Sequence, residues 1–290
     1  MCIRDSFVHL HSHTEYSLFD GISRIGELVS HVKEMGQTAL AITDHGVMYG
    51  AIYLYKECIK QGIKPIIGCE IYVTRGSRFD KSGNGKEKLA HLILLAENNE
   101  GYQNLIKICS KAWTEGYYHR PRADHELLEK YHEGLIVTSA CVGGEVPQAI
   151  LNGDMDEARK VIESYINTFG KDNYFLEIQN HGLPEEAAVR PVLASLAKEY
   201  GLGLVATNDF HYTKKEDARS QEIKLCISTG KTLDDPYHFH FANDEFYCKS
   251  GDEMRAILGN FPGAIENTRV IADRCNVELT FGEHKLPSFD

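Results

Sequence analysis

Residue types that bind metal ions recur at the strand-like apolar runs of this sequence. His11 and His13 come with the first run, and further candidates stand within or just after later runs: His45, Glu70, Cys141, Asp209 and His211. A divalent ion in a protein takes about four to six nitrogen, oxygen or sulfur ligands. Imidazoles, carboxylates and a thiol supplied by separate strands therefore predict a multinuclear metal centre, which is typical of metal-dependent phosphoesterases.

The histidine pair is suggestive rather than decisive when it is taken alone. His11 and His13 are two residues apart, so on a strand both side chains point to the same face and can bind one ion. The pair is equally compatible with a polar strand that only packs the mouth of a barrel. Asp209 and His211 repeat the spacing, and this recurrence favours metal binding. His9 shares the face but lies deeper, and we interpret it as a packing or supporting residue.

Acidic residues also occur where apolar strands are expected. Glu70 interrupts the apolar run Pro65–Val73, and an ionised carboxylate buried there is costly without a cation or hydrogen-bond donors. Bridging two ions would satisfy it. Asp44 directly follows another run, but it could instead cap a helix over Met48–Lys60. Of Asp44 and His45 we therefore predict only His45 as a ligand.

Cys141 ends an apolar run just before Gly143 and Gly144. Other cysteines, such as Cys58, are interpreted as buried core thiols. A thiolate ligand favours a soft ion such as zinc, whereas the carboxylates also accept manganese or iron, so the identity of the metal stays open. The eight cysteines contain no CxxC pair, which argues against a zinc ribbon and against a disulfide framework.

The elements that must position these residues follow an alternating pattern. Extended runs are predicted at Phe7–His11, Ala39–Thr43, Pro65–Val73, Leu92–Ala96, Leu135–Ser139, Tyr174–Ile178 and Gly203–Ala206. Helical patterns cover Ile25–Met35, Met48–Lys60, Gly101–Trp113, Val146–Leu151, Met155–Phe169 and Glu185–Tyr200. This rhythm predicts an α/β fold with a parallel sheet covered on both faces and closed, or nearly closed, into a distorted seven-stranded TIM-like barrel.

Functional residues of such barrels gather at the carboxyl ends of the strands. His45, Cys141 and Asp209 obey this rule, but His91 precedes its apolar run, and the sequence gives no geometric reason for it to face the site. The chain after Thr232 adds no further ligand cluster. We predict a metal-dependent barrel over residues 7–231 and a short helical extension over residues 232–290.

The composition is that of a globular protein, with 42% hydrophobic and 25% charged residues in a chain of 290. A formal net charge of −11 argues against a nucleic-acid partner, but bound dications would invert the field at a cluster of acidic ligands. No apolar run reaches the thickness of a bilayer, and the first residues lack the apolar core of a secretory signal. We therefore expect a cytoplasmic protein without a membrane partner.

Two segments outside the ligand set carry open interpretations. His181 ends another strand and is equally compatible with a substrate contact or a loop position. The stretch from Tyr117 to Arg122 mixes aromatic and basic residues, so it could approach a nucleic-acid backbone or dock another domain. The stretch Gly76–Lys88 is rich in Gly, Lys and Ser and is predicted to be a surface loop.

Three motifs resemble the polymerase and histidinol phosphatase (PHP) domain: His11-Ser-His-Thr-Glu-Tyr-Ser-Leu-Phe-Asp-Gly21, Ala41-Ile-Thr-Asp-His-Gly46 and Ala206-Thr-Asn-Asp-Phe-His211. Further stretches narrow the resemblance to PHP domains of bacterial C-family replicative polymerases: Ala96-Glu-Asn-Asn-Glu-Gly-Tyr-Gln-Asn-Leu-Ile106, Tyr174–Gly182, Glu245-Phe-Tyr247, Arg274-Cys-Asn276 and Leu286-Pro287. The resemblance spans Phe7 to the last residue, and it implies the PHP form of the barrel.

The resemblance also implies a site for three divalent ions. Its nine ligands would be His11, His13, Asp20, His45, Glu70, His91, Cys141, Asp209 and His211. Asp20 and His91 rest on the resemblance alone. The family pattern assigns the first ion to His11, His13, Glu70 and Asp209, the second to Glu70, His91 and Cys141, and the third to Asp20, His45 and His211.

The reaction that the resemblance implies is 3′–5′ exonuclease proofreading of a DNA primer. A metal-bridged hydroxide would attack the phosphodiester, with His11, His13, Glu70 and Asp209 as the catalytic ligands. Implied partners are DNA, the remaining polymerase domains of the same polypeptide, a proofreading subunit and the replicase assembly. The polymerase palm would lie beyond Asp290. Two alternatives stay open, namely a stand-alone phosphatase of the histidinol-phosphatase type and a non-catalytic, metal-stabilised docking module.

Overall fold

The computed structural model describes residues 7–82 and 89–283. Its strands are β1 (Ala39–Ile42), β2 (Lys64–Val73), β3 (Ala90–Ala96), β4 (Arg122–Ala123), β5 (Leu135–Thr138), β6 (Tyr174–Ile178) and β7 (Gly203–Ala206). Its helices are α1 (Ile25–Glu34), α2 (Ala51–Gln61), α3 (Asn99–Thr114), α4 (His125–Lys130), α5 (Glu145–Leu151), α6 (Met155–Phe169), α7 (Pro184–Tyr200), α8 (Ala218–Thr229), α9 (Gly251–Leu258) and α10 (Glu266–Arg274). The later part of the predicted loop Gly76–Lys88 and the motif at Leu286 lie outside the described residues.

The strands form one curled sheet in the order β1, β2, β3, β5, β6, β7, and the short strand β4 pairs with β2. Parallel pairing joins β1 to β2, β5 to β6 and β6 to β7. Helices connect most of these strands and cover the outer face, as parallel crossover connections require. The predicted fold class, a distorted TIM-like α/β barrel with a helical extension, is confirmed.

Strand β3 runs against its neighbours. It is antiparallel to both β2 and β5, with Tyr72 opposite His91 and Ile93 opposite Thr138. The expectation of a uniformly parallel sheet is therefore wrong at this strand. The reversal has a direct consequence for the site, because the amino-terminal end of β3 lies at the same edge of the sheet as the carboxyl end of β2.

The amino-terminal segment, residues 7–14, connects the two edges of the sheet. On one side the amide of Ala41 donates to the carbonyl of His9, and on the other the amide of His13 donates to the carbonyl of Phe210, both at 2.9 Å. The predicted strand Phe7–His11 appears only as isolated bridges. Side-chain hydroxyls replace part of the strand ladder here, since Ser12 Oγ donates to the carbonyl of Ala41 at 2.6 Å.

Two apolar clusters fill the fold, one on each face of the sheet. Successive residues of β1 point to opposite faces of the sheet and so belong to different clusters. Leu40 and Ile42 pack in the cluster that includes the helices, and Ala39 and Ala41 pack in the other. The second cluster contains inward residues of several strands and is extended by three residues in or just after helix α10: Ile271, Ala272 and Cys275. The strands are therefore buried on both faces, which explains their nearly continuous apolar sequences.

Helix boundaries follow local capping chemistry. Helix α3 begins after Asn98, whose side chain accepts a hydrogen bond from the amide of Gly101 at 3.0 Å. Helix α7 starts with Pro184 and ends at Gly201 in the left-handed conformation. Helix α2 begins at Ala51 with Gly50 as its N-cap, so the interpretation of Asp44 as a helix cap is wrong. No helix among the described residues is long and apolar enough to cross a membrane.

The residues after Thr232 contact the barrel closely. The amide of Ala206 donates to the carbonyl of Ala264 at 2.9 Å, and the amide of Val8 donates to Thr268 Oγ1 at 3.0 Å. Helices α9 and α10 supply the helical character that the sequence predicted for this region. The division into two domains at residue 232 stays a prediction.

Candidate metal centre

The nine side chains of the predicted ligand set meet at one end of the barrel. Glu70, near the middle of β2, lies at the centre of the group and is 1% exposed. One carboxylate oxygen, Oε2, lies 3.2 Å from His13 Nε2 and 2.7 Å from His45 Nδ1. The other, Oε1, lies 2.8 Å from His91 Nδ1. Glu70 therefore contacts imidazoles from three separate parts of the chain.

The first group consists of His11, His13, Glu70 and Asp209. Asp209 Oδ1 lies 3.1 Å from His11 Nε2 and 3.0 Å from His13 Nε2. One ring nitrogen or carboxylate oxygen from each of the four residues lies within 4.8 Å of the corresponding atoms of the other three, close enough to bind a single ion. Segment 7–14 and the segment after β7 are hydrogen-bonded neighbours and supply three members of this group, and β2 supplies Glu70.

A second group surrounds Asp20 at the rim. Asp20 Oδ2 lies 3.4 Å from His45 Nε2 and 3.8 Å from His211 Nε2. The ring of His13 stacks on His45 at 4.1 Å and on His211 at 4.3 Å between centroids. Asp20 is reached by a turn that begins at Ser17, whose carbonyl accepts a hydrogen bond from the amide of Asp20 at 3.1 Å.

Cys141 and His91 form the third group with Glu70. Cys141 Sγ lies 3.6 Å from His91 Nδ1 and 4.0 Å from Glu70 Oε1. The antiparallel direction of β3 brings His91 to this edge, which is the geometric reason that its sequence position concealed. Gly143 leaves room for the pair, because a Cβ atom there would approach His91 Nδ1 to 3.2 Å.

The backbone is strained where two of these side chains enter the site. Asp209 has a φ of 41°, and Ala140, directly before Cys141, has a φ of 59°. Left-handed backbone costs an L-residue other than glycine about 1–2 kcal/mol. Such strain clusters at functional sites, where the surrounding structure holds it in place.

Several buried polar atoms of the group have no hydrogen-bond partner among the described residues. They are His11 Nε2, His13 Nε2, Asp20 Oδ1, His45 Nδ1, Glu70 Oε2 and Asp209 Oδ1. Buried polar atoms are nearly always satisfied in native proteins, so a set of unsatisfied atoms that point at one another indicates a missing partner. Nitrogen, oxygen and sulfur atoms in this arrangement fit divalent cations.

Charge complementarity shapes the pKa values in the cluster. Burial favours the neutral form of Glu70, but the imidazoles of His91 and His45 outweigh it and hold the pKa of the carboxyl well below its usual value. The pKa of Asp209 is lowered in the same way, with His11 outweighing burial. The carboxylates therefore stay ionised, which is the form that binds a cation.

His211 differs from the other histidines of the cluster. Burial, together with the neighbouring His13, lowers its pKa to about 4. A neutral imidazole has a free lone pair for a cation. His211 Nδ1 lies 2.9 Å from the carbonyl of Asp209, and this contact fixes the orientation of the ring.

A fully buried carboxylate that the sequence analysis missed supports His11 from behind. Glu177 Oε1 lies 2.7 Å from His11 Nδ1, and it accepts hydrogen bonds from Thr207 Oγ1 at 2.5 Å and Gln179 Nε2 at 2.9 Å. A carboxylate on the second ring nitrogen orients a metal-binding histidine and raises its basicity. The signal was present in the sequence, because Glu177 interrupts apolar strand β6 as Glu70 interrupts β2.

Asp44 supports His13 through a hydroxyl group. Its carboxylate accepts hydrogen bonds from the amide of Thr14 at 2.7 Å and from Ser17 Oγ at 2.9 Å. Ser17 Oγ also lies 2.9 Å from His13 Nδ1. The structure thus gives Asp44 a positioning role where the sequence favoured a helix cap.

The other buried histidines are held by the protein itself. His9 Nε2 lies 2.7 Å from the carbonyl of Lys249, which agrees with the interpretation of His9 as a packing residue. His181 is buried, and its two ring nitrogens lie 2.5 Å from Glu186 Oε1 and 2.7 Å from the carbonyl of Asn208. His181 is therefore neither a surface loop residue nor a free substrate contact.

The family model of the PHP domain matches residues 9–181, and the chain belongs to this family. Its relatives include two proteins named DNA polymerase III subunit alpha. The one from Treponema pallidum is 49% identical over 287 residues, which are 99% of this chain and 24% of the relative. The one from Thermus aquaticus is 47% identical over 98% of this chain and 24% of the relative. The chain thus spans about a quarter of the length of these relatives.

A two-domain protein of Bacteroides vulgatus that contains a predicted PHP-like metal-dependent phosphoesterase superposes loosely on the structure. The match has a TM-score of 0.43 and 12% identity, and it covers 91% of this chain and 63% of the other. The family assignment rests on the sequence matches.

Proposed function

We propose that this chain is the PHP domain of a replicative DNA polymerase III alpha subunit and hydrolyses phosphodiester bonds at the 3′ end of DNA with the help of bound divalent ions. The observation that carries the proposal is the convergence of nine side chains with nitrogen, oxygen or sulfur atoms, six of whose buried atoms have no hydrogen-bond partner among the described residues. The identity of 49% to a polymerase subunit over nearly the whole chain supports the parentage.

Three ions would be held by the three groups described above. His11, His13, Glu70 and Asp209 would bind the first, His91 and Cys141 with Glu70 the second, and Asp20, His45 and His211 the third. The thiol and imidazoles favour zinc, while the carboxylates also suit manganese or iron. Bound dications of this kind lower the pKa of water, polarise a phosphoryl oxygen and stabilise the leaving oxygen.

The chain's own residues prepare the site for such ions. Glu177 and Asp44 fix the ring orientations of His11 and His13, so the ligands need little reorganisation on binding. Burial around Glu70 and Asp209 keeps water from screening their charges. The acidic ligands would be neutralised by the ions, and a substrate phosphate would then meet a positive local field although the chain carries a net charge of −11.

The same parentage implies the remaining partners. The polymerase domains of the same polypeptide, the DNA primer and a proofreading subunit would contact this domain in the cytoplasm. The contacts made by the residues after Thr232 favour a role for that region in holding the barrel beside the next domain.

A digestion assay tests the proposal. The chain is loaded with Mn²⁺ or Zn²⁺ and incubated with a 5′-labelled single-stranded oligodeoxynucleotide, and products are resolved by length. We expect stepwise shortening from the 3′ end that is abolished by a chelator and reduced by at least about 100-fold in His13→Ala.

His132→Ala is the matched control, because this partly exposed histidine lies just after α4, outside the candidate metal centre, where its ring is held by the carbonyl of Glu129 at 2.7 Å and lies 6.5 Å from that of Phe169. It should digest at the wild-type rate. Release of phosphate from phosphomonoesters without any shortening of the oligonucleotide would favour the small-molecule phosphatase instead. Metal binding with neither activity would favour the docking module.

A further inference from the structure

A cavity of about 660 Å³ opens directly onto the candidate metal centre. Three predicted ligands, Asp20, His45 and His91, form part of its wall. A volume of this size suits a nucleotide-sized ligand. The rest of the wall includes arginine and aromatic side chains that are not among the predicted metal ligands.

Two arginines line the described part of this cavity, and they differ in the hydrogen bonds that their side chains make within the protein. Arg122 is 3% exposed, and its guanidinium donates to the carbonyls of Gly116 at 2.9 Å, Arg78 at 3.0 Å and Asp80 at 2.7 Å. It is a structural residue. Arg120 is exposed and has no hydrogen bond or ion pair with its side chain among the described residues.

The guanidinium of Arg120 lies over aromatic rings beside the metal centre. It is 5.4 Å from the ring centroid of Phe19 and 5.5 Å from that of Tyr72. The Tyr72 ring in turn lies 5.9 Å from His45 and 5.3 Å from His91. A guanidinium held in this way keeps its hydrogen-bond donors for another acceptor, and a phosphate is the acceptor that its fork-shaped geometry fits best.

The turn that presents Arg120 is rigid. The amide of Tyr118 donates to the carbonyl of Arg120 at 3.1 Å, and β4 begins two residues later, with Arg122 paired to Tyr72 of β2. His119, at the tip, has a φ of 60°. Among the described residues, the non-glycine residues with positive φ are His119, Ala140 and Asp209, and all three lie at the cavity or the candidate metal centre. A strained and anchored turn holds its side chains in place before a ligand arrives.

Aromatic side chains from the region after Thr232 complete the cavity. Phe239 is 51% exposed, and its ring lies 6.3 Å from that of Phe241. Phe241 lies 4.9 Å from the predicted ligand His211. The exposed ring of Phe239 beside a cluster of polar side chains matches the stacking surfaces on which proteins bind unpaired bases.

We propose that this cavity binds the unpaired 3′-terminal nucleotide of a DNA strand, with Arg120 on a backbone phosphate, Phe239 stacked on the base and Phe241, whose ring is nearly perpendicular to that of Phe239, at the edge of the base. The inference rests on the proposed function, because it assumes that the phosphodiester at the metal centre belongs to DNA. A paired terminal base is joined to the complementary strand and must separate from it before it can enter a cavity of nucleotide size, so the cavity selects frayed or mismatched ends.

Binding can be measured separately from hydrolysis. The probe is a single-stranded oligodeoxynucleotide with fluorescein at its 5′ end, 2-aminopurine at its 3′ end and a phosphorothioate at the last linkage to slow cleavage. Fluorescence anisotropy with the Mn²⁺-loaded chain gives the affinity. The change in aminopurine fluorescence reports whether the terminal base stacks.

We expect Arg120→Ala to weaken binding about tenfold, as loss of one charge-assisted phosphate contact would. The slope of log K against log salt should fall by about 0.7, and Arg120→Lys should restore it. Phe239→Ala should weaken binding about tenfold and remove most of the aminopurine signal. Arg159→Ala, on α6 outside the cavity, is the control and should bind as the wild type does.

The outcomes separate this inference from the proposed function. Wild-type binding by Arg120→Ala and Phe239→Ala, or equal affinity for a probe with an abasic 3′ end, would overturn the inference even if the unmodified oligonucleotide is digested. Loss of affinity and of the aminopurine signal in these variants, combined with no digestion by the wild type, would support the inference as a binding site and overturn the exonuclease. Circular dichroism of each variant verifies that it is folded.

Discussion

Two regions of this barrel bury histidines beside carboxylates. In one region the imidazole nitrogens have hydrogen-bond partners, and in the other several of them have none among the described residues. In the His181 cluster, formed by His181, Glu186, Asn208 and Phe246, both ring nitrogens of His181 have partners and the ring stacks on Phe246 at 4.0 Å. In the metal centre, the Nε2 atoms of His11 and His13 have no hydrogen-bond partner among the described residues. Burial alone therefore does not distinguish a ligand site from a structural one, whereas converging unsatisfied atoms do.

The largest expected effect comes from removing a predicted ligand of the candidate metal centre. Asp209→Ala should lose bound metal and about 4 kcal/mol of metal-dependent stability, the amount expected when the ion is present at about 1,000 times its dissociation constant. Elemental analysis gives the metal content per chain, and thermal unfolding with and without a chelator gives the stability difference. Asp252→Ala, on the exposed side of α9, is the control. Unchanged occupancy in Asp209→Ala would remove Asp209 from the ligand set.

The second effect should be smaller and independent of metal. His181→Ala leaves the carboxylate of Glu186 buried without its imidazole partner, which costs about 3 kcal/mol. Chemical denaturation should give the same loss of unfolding free energy in metal-loaded and chelated protein. If the loss occurred only in the loaded protein, the His181 cluster would belong to the metal centre and the comparison would fail.

Glu177 combines features of the two regions. Like the residues of the His181 cluster, it has hydrogen-bond partners within the protein, but one of these partners is the predicted ligand His11. Glu177→Gln keeps the size and the hydrogen bond to Thr207 but removes the charge behind His11. We expect metal affinity to weaken about 10- to 100-fold. Competition with a coloured chelator measures it, and Glu163→Gln, at the exposed hydroxyl of Tyr200, is the control. An affinity equal to that of the wild type would limit Glu177 to packing.

The smallest effect concerns the pair of His125 and Glu145, which lie 3.2 Å apart between α4 and α5. The hydrogen bond that His125 donates to the carboxylate of Glu145 raises the pKa of His125 above its ordinary value of 6.5. The pair therefore stabilises the fold fully below pH 6.5, and this stabilisation is lost as the pH rises through the raised pKa. We expect a loss below about 1 kcal/mol. The unfolding free energy of the wild type relative to that of His125→Gln should fall by this amount between pH 6 and pH 9.

Reasoning from the sequence alone identified those candidate ligands whose strands run in the common direction. His45 and Asp209 follow apolar runs, so their position at one edge of a parallel sheet could be expected. His91 could be named only from the family resemblance. It stands at the amino-terminal end of β3, and this end lies at the edge of the sheet with the other candidate ligands only because β3 runs in the reverse direction. Asp20 depends in the same way on a turn that no periodic pattern indicates.

Two supporting carboxylates show where reading the sequence failed. Glu177 carried the same signal as Glu70, a lone acidic residue in an apolar strand, and was overlooked. Asp44 was interpreted as a helix cap, but the helix begins only at Ala51 and its carboxylate holds Thr14 and Ser17 instead. In both cases the partner lies on a different part of the chain, so local patterns cannot identify it.

The sequence alone determined which residue types are available and which of them share a face, since the two-residue repeat of a strand and the burial of an apolar run are local properties. These local properties were enough to predict the α/β class and the position of His11 and His13 on the same face of the chain. Only the tertiary structure decided which groups became neighbours, including the approach of His91 to Cys141 and of Phe241 to His211. The physical reason is that strand order and direction depend on contacts between residues far apart in the chain.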